Sequence, residues 1–166
     1  HKTMRAYIAA KRNIVAYQRP GDSAVLGYDE PNARALAAAT PAEVRYFSGL
    51  EPVARGAFLR GAFLRGEDLV LRRADREVVV VPRDAVRLRG FHNVLNVLAA
   101  IALADAAGGS VEGMRSAIAE FTGVAHGLEE VRRLAGVLWI NDSIATAPER
   151  VLAALDAFEE PLILLA

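Results

Sequence analysis

The sequence predicts an α/β fold, and three observations carry that expectation. Val97–Ala104 is apolar on every side and free of Pro and Gly, so it reads as a buried helix. Asp68–Arg72 and Glu77–Val81 are β-rich runs on either side of a polar turn at Arg73–Arg76. The tail has an apolar run at Val137–Ile140, a helical pattern at Ala147–Phe158 and a second apolar run at Pro161–Ala166. That is the strand–helix–strand order of a parallel unit. With 166 residues, 53% of them hydrophobic, the chain suffices for one domain, or for one domain and part of another.

The first element expected is a helix over Met4–Tyr17, with an apolar stripe at Met4, Tyr7, Ile8, Ile14 and Val15. Lys11 falls in the middle of that stripe, one turn after Tyr7. A lysine on a core-facing stripe either carries its ammonium out to water on its long stem or is held as a neutral, reactive amine. Pro20-Gly21 breaks the helix, and Ala24–Tyr28 reads as a short buried strand. Pro31–Ala39 is a second helix, entered through Asp29 or Glu30, and Val44–Phe47 another strand. Gly56-Ala-Phe-Leu-Arg60 is then repeated at once as Gly61-Ala-Phe-Leu-Arg65. An odd-numbered insertion turns a strand's side chains to the opposite face, so the repeat is expected to form a bulge or loop. Pro82 ends the β-rich patch, and Val86–Leu88 is expected to add one more strand.

The central helix opens at Gly90 and closes on Gly108-Gly109, with His92, Asn93 and Asn96 on one face of its first turn. The positive end of a helix favours anionic groups such as nucleotide phosphates. The simplest role for the two asparagines is to satisfy the free N–H groups there. Val111–Phe121 is an amphipathic helix capped by Ser110, and Thr122–Ala125 a linker. Leu128–Leu134 and Val137–Ile140 read as strands around Ala135-Gly136. Thr146 and Glu149 have the spacing of a capping box, with Pro148 in the first turn of the last helix.

Between the strand Val137–Ile140 and that helix lies Asn141–Thr146, where ligands of open α/β sheets bind. Asp142 has the chemistry to accept hydrogen bonds from ribose hydroxyls or to help place a cation. Asp142 and Ser143 also suit a plain turn, and Thr146 a cap. His126, just after the linker, is a further candidate, although a lone histidine near an interdomain turn is more often structural. The sequence has no Gly-x-x-x-x-Gly-Lys-Ser/Thr loop, nucleophile elbow or metal-spaced histidine pair. Lys and Arg number 20 against 20 Asp and Glu, so no basic field draws in nucleic acid or anionic membrane. Without cysteine there are no disulfides or thiolate metal sites, which accords with the cytoplasm. No apolar run is long enough to cross a bilayer. The chain starts at His1 and stops within an apolar run, and is expected to be an internal piece of a longer protein.

Three stretches together resemble the Mur ligase family: Met4-Arg-Ala-Tyr-Ile-Ala-Ala-Lys11, Gly90-Phe-His-Asn-Val-Leu-Asn96 and Trp139-Ile-Asn-Asp-Ser-Ile-Ala-Thr146. Phe121-Thr-Gly-Val-Ala-His-Gly-Leu-Glu129 is similar to the family's hinge into its last domain. The resemblance implies residues 1–124 as the later part of a central ATP-binding ligase domain with a mixed sheet. Residues 125–166 would open a Rossmann-like C-terminal domain. The P-loop and the usual magnesium-holding glutamate and histidine of the family are not in this stretch.

The branch most resembled adds D-glutamate to UDP-N-acetylmuramoyl-L-alanine, with ATP and magnesium, in peptidoglycan-precursor and cell-wall synthesis. By resemblance Lys11 becomes carbamylated and supports magnesium, and Tyr7 belongs to the same substrate site. Asn93, Asn96 and Asp142 contact ATP, His126 is the hinge histidine with a catalytic role, and Thr146 touches the incoming amino acid. A cytoplasmic, monomeric full-length enzyme is implied, with no nucleic-acid or membrane partner. In two places the chain departs from the pattern: Gly127 replaces a usual arginine and Ile144 a usual lysine. Those departures favour a rival reading as a non-catalytic nucleotide-binding or interaction module. A folylpolyglutamate synthase-like ligase is a further alternative.

Overall fold

The computed structural model describes residues 3–62, 66–74 and 76–165. The fold is α/β with a mixed sheet. Five strands lie in chain order: β1 (Ser23–Gly27), β2 (Glu43–Ser48), β3 (Gly56–Ala62), β4 (Gly66–Arg73) and β5 (Arg76–Pro82). The first three are mutually parallel, and β4 and β5 return antiparallel as a meander. Parallel pairing needs a crossover, and α2 (Pro31–Ala35) with the tight 3-10 turn Leu36–Ala39 carries the chain from β1 to β2. Glu30 accepts the Asn32 N–H at 3.2 Å and caps that helix, ahead of Pro31.

The β1 strand alternates sides. Ala24 and Leu26 pack with Val15 of α1 (Met4–Ala16) and with Ala42, while Val25 faces the main core. That core joins Leu69, Leu71, Val80 and Val81 of the sheet to one face of α3 (Phe91–Ala106), at Val94, Val97, Leu98, Ile101 and Ala102. Val111 and Met114 of α4 (Val111–Glu120) complete it, and Ser110 caps α4 by accepting the Gly113 N–H at 3.0 Å. A register shift between Leu69 and Val70 leaves Val80 without an opposite residue, so the neighbours Val80 and Val81 are both buried.

After α4 the chain forms the antiparallel hairpin β6 (Glu129–Leu134) and β7 (Val137–Asn141). Its two-residue turn, Ala135-Gly136, has positive φ at both positions, matching the twist of the strands. The last helix is α5 (Pro148–Leu155).

Several expectations are corrected. The stripe of α1 buries only Val15 fully; Met4, Tyr7 and Ile14 are exposed, and so is Lys11. No core therefore surrounds the Lys11 amine. The α3 helix is buried on one side only, because Asn96 and Ala100 open onto a cleft and Leu103 onto solvent. Val86–Leu88 is not a strand: the 3-10 turn Arg83–Ala85 leads into a loop that feeds α3. The first copy of Gly-Ala-Phe-Leu-Arg is no bulge. β3 runs through it to Ala62 in unbroken register with β4, from Gly56↔Arg72 to Ala62↔Gly66. Phe63–Arg65 of the second copy, like Asp75 of the polar turn, lies outside the described residues. Pro161–Leu165 pairs with no strand among the described residues, and an isolated segment gains no ladder hydrogen bonds; Ala166 is outside them. Thr146 is not the cap of α5, because that helix begins one residue later, from Ala147, with no side-chain cap.

Candidate functional site

Asn93 and Asn96 from α3 and Asp142 from the loop after β7 line one cleft of about 780 Å³. The entrance of α3 depends on Gly90. Its φ of +84° is left-handed, and a Cβ there would meet the His92 ring and Ala157 at 2.8 Å. Just before it, Arg89 ties three elements together. Its guanidinium lies 3.7 Å from a Glu130 oxygen of β6, 3.2 Å from Glu160, and 5.1 Å from the Phe158 ring centroid. A backbone N–H and then Arg89 hold the Glu160 carboxyl below the usual carboxylate range.

The asparagines do not cap the free N–H groups of α3. The Asn93 side-chain amide donates to the Arg89 carbonyl at 2.8 Å, and the Asn96 amide donates to Asn93 Oδ1 at 3.2 Å. This fixes the Asn93 rotamer and leaves exposed Asn96 with its carbonyl oxygen unused among the described residues. Amide groups placed this way can read a ligand's donors and acceptors.

Asp142 has two tasks. Its Oδ1 accepts the Leu128 N–H at 3.1 Å, and the carboxylate also lines the cleft. That bond holds a strained segment, since His126 has φ +66° and Leu128 φ +47° without being glycine. The Gly127 N–H donates to Val124 at 3.2 Å and the Ile144 N–H to His126 at 3.3 Å, closing the loop against the end of β7.

The other expected site residues lie off this cleft. His126 is exposed, with Nδ1 at 2.8 Å from the Asn141 amide, and orders the hinge rather than the cleft wall. Thr146 is exposed and is not among the lining residues, although its neighbours Ile144 and Ala145 are. Tyr7 and Lys11 sit together on α1, with the ammonium 5.5 Å from the Tyr7 ring centroid, and neither lines the cleft. Among the described residues there is no group of three or more His, Cys, Asp or Glu able to hold a metal ion. The donors on hand do not build a magnesium site by themselves.

Sequence reasoning missed Arg87 and Arg150, both of which line the cleft, and the apolar wall of Leu88, Phe121 and Val124. For Arg150 a signal existed. The positions three and four away from it are Ala147, Thr146, Ala153 and Ala154, none of them acidic.

The model of the Mur ligase middle domain matches residues 1–104. A UDP-N-acetylmuramoylalanine–D-glutamate ligase of Roseiflexus sp. (strain RS-1) is 44% identical over all of this chain and 36% of its own length. The protein of that name from Symbiobacterium thermophilum is 43% identical, again over 100% of this chain and 36% of the relative. The chain therefore spans little more than a third of these curated relatives. A crystal structure of MurF from Acinetobacter baumannii superposes with a TM-score of 0.73 at 22% identity, covering 92% of this chain and 32% of that one. That likeness speaks for the fold. On the match over residues 1–104, and on relatives aligned along its whole length, the chain belongs to the Mur ligase family.

Proposed function

We propose that the cleft binds ATP, and that the chain is the nucleotide-facing part of a ligase joining D-glutamate to UDP-N-acetylmuramoyl-L-alanine. The observation that carries this reading is the convergence of Asn93, Asn96 and Asp142, distant in sequence, on one cleft large enough for a nucleotide. The names of the relatives supply the substrate class. In the proposed reaction ATP phosphorylates the substrate carboxylate, the D-glutamate amine attacks the acyl phosphate, and ADP and phosphate leave. Residues 1–124 are read as the later part of the ATP-binding domain and 125–166 as the opening of a Rossmann-like domain. The five-stranded sheet with α3 and α4, followed by the separate hairpin β6–β7, supports that division.

Within the cleft this chain orients the nucleotide: amides of α3 on one side, the Asp142 carboxylate on the other. Magnesium would neutralise phosphate charge in such a reaction. The chain's one offered ligand is Lys11, if carbamylated, and no step is assigned to it. The complete enzyme is proposed to be monomeric and cytoplasmic; no helix described here is long and apolar enough to cross a membrane.

Calorimetric titration of ATP into the chain tests the reading. Asn96→Ala and Asp142→Ala should each weaken binding by about tenfold, the loss of one hydrogen-bonded contact. Saturable binding untouched by both substitutions would place the nucleotide elsewhere.

A further inference from the structure

One corner of the cleft is wholly apolar. A Cβ built on Gly127 would stand 3.0 Å from Val124 Cγ2 and 3.1 Å from Ile144 Cδ1. Gly127 and Ile144 are thus neighbours, and a side chain at one would press on the other. Neither brings charge to the cleft.

The arginines that do line it are Arg87 and Arg150. Arg150 occupies the first turn of α5, with its Nη1 3.5 Å from the Ile144 carbonyl, beside the loop that carries Asp142. It makes no ion pair among the described residues. The adjacent Glu149 lines the cleft too, but successive helix positions do not pair with each other, and no ion pair joins it to Arg150 among the described residues. A cation in the first turn of a helix is disfavoured by the helix dipole, and an arriving anion reverses that penalty. Guanidinium also offers a planar fork of donors that fits phosphate oxygens.

Resting on the reading of the cleft as a nucleotide site, we propose that Arg150 binds the phosphate chain of that nucleotide. It supplies from α5 the positive charge that Gly127 and Ile144 do not bring.

The test compares ATP, ADP and adenosine in calorimetric titrations of the chain and of Arg150→Ala, Arg150→Lys and Arg87→Ala. Arg150→Ala should weaken ATP and ADP by about tenfold and leave adenosine as it was, the signature of a lost phosphate contact. Arg150→Lys should recover part of the loss, because a point charge remains. The melting temperature of Arg150→Ala should stay level or rise, as a dipole-opposed cation is removed. Equal losses for ATP and adenosine would mark a structural role and overturn the proposal. A full-strength Arg150→Ala, or a larger loss in Arg87→Ala, would overturn it too. A wild-type chain that binds none of the three ligands would remove the nucleotide reading of the cleft itself, and this inference with it.

Discussion

Gly49 lies under the ring of Phe91: a Cβ built on it would stand 2.4 Å from Phe91 Cζ and 2.8 Å from Leu95 Cδ2. The glycine is held in place from the loop after β1, because Asp29 accepts the Gly49 N–H at 2.8 Å and the buried Ser48 hydroxyl at 2.5 Å. The end of the parallel sheet thereby sets the position of the first turn of α3, which carries Asn93 and Asn96. Gly49→Ala should destabilise the chain by about 1–3 kcal/mol, as other overpacked sites do. Phe91→Leu in the same background should recover part of the melting temperature. Equal stability of Gly49→Ala and wild type would show that the contact yields freely.

A second anchor sits at the other end of α3. Asp105 is buried and pairs with buried Arg45 of β2 and, at 2.5 Å, with Arg73 of β4. A carboxylate near the C-terminus of a helix opposes the dipole, and the two arginines compensate it. Asp105→Ala should cost about 1–3 kcal/mol in urea unfolding, because it removes the Asp105 bonds and leaves buried Arg45 with the Glu43 carboxylate at 3.3 Å as its acidic partner. Among the described residues Arg45 Nε already has no acceptor, so little slack exists there.

The tandem repeat yields a deletion test. Removing Gly61–Arg65 joins Arg60 to Gly66, so that Arg60↔Asp68 is closed by the two residues Gly66-Glu67. A glycine first in a two-residue loop suits the II′ hairpin turn. The pairings Phe58↔Val70 and Ala57↔Leu71, which carry the core, keep their register. The melting temperature should stay within about 5 °C of wild type, on the order of 1 kcal/mol for a domain of this size. A larger fall would show that the second copy contributes packing.

Lys11 is expected to matter for catalysis in the complete ligase and not for stability. Exposed on α1, it should tolerate Lys11→Ala within about 0.5 kcal/mol in thermal unfolding, since alanine is the best helix former. In the complete enzyme the same substitution should nearly abolish turnover. Lys11→Arg should not rescue, because guanidinium stays protonated and takes up no carbon dioxide. Full turnover by Lys11→Arg would end the carbamate role.

Elements whose signals are local were legible in the sequence. Proline at the start of α2 and α5, Ser110 before α4 and Gly90 before α3 mark helix starts by their own backbone chemistry. Burial was less legible, because it depends on what covers a face. The stripes of α1 and the outer side of α3 are apolar in sequence, yet open to solvent or to the cleft. Strands that need a partner misled in both directions. The apolar run Pro161–Leu165 has none among the described residues, whereas the repeat Gly56–Ala62 finds one in β4 despite its odd period. At the site, Asn93, Asn96 and Asp142 were readable as motif residues. The unpaired charge of Arg150 was readable, but its place in the cleft was not, because that depends on how α5 docks against the loop at Ile144.

Isotope-edited NMR titration of the chain with ADP bears most directly on the nucleotide cleft. Concentration-dependent shifts should concentrate on the amides of His92–Asn96, Leu128 and Asp142–Ala145, with the Asn93 and Asn96 side-chain amides among the largest. Shifts confined to α1, or spread evenly over the surface without saturation, would contradict a nucleotide site between α3 and the loop after β7.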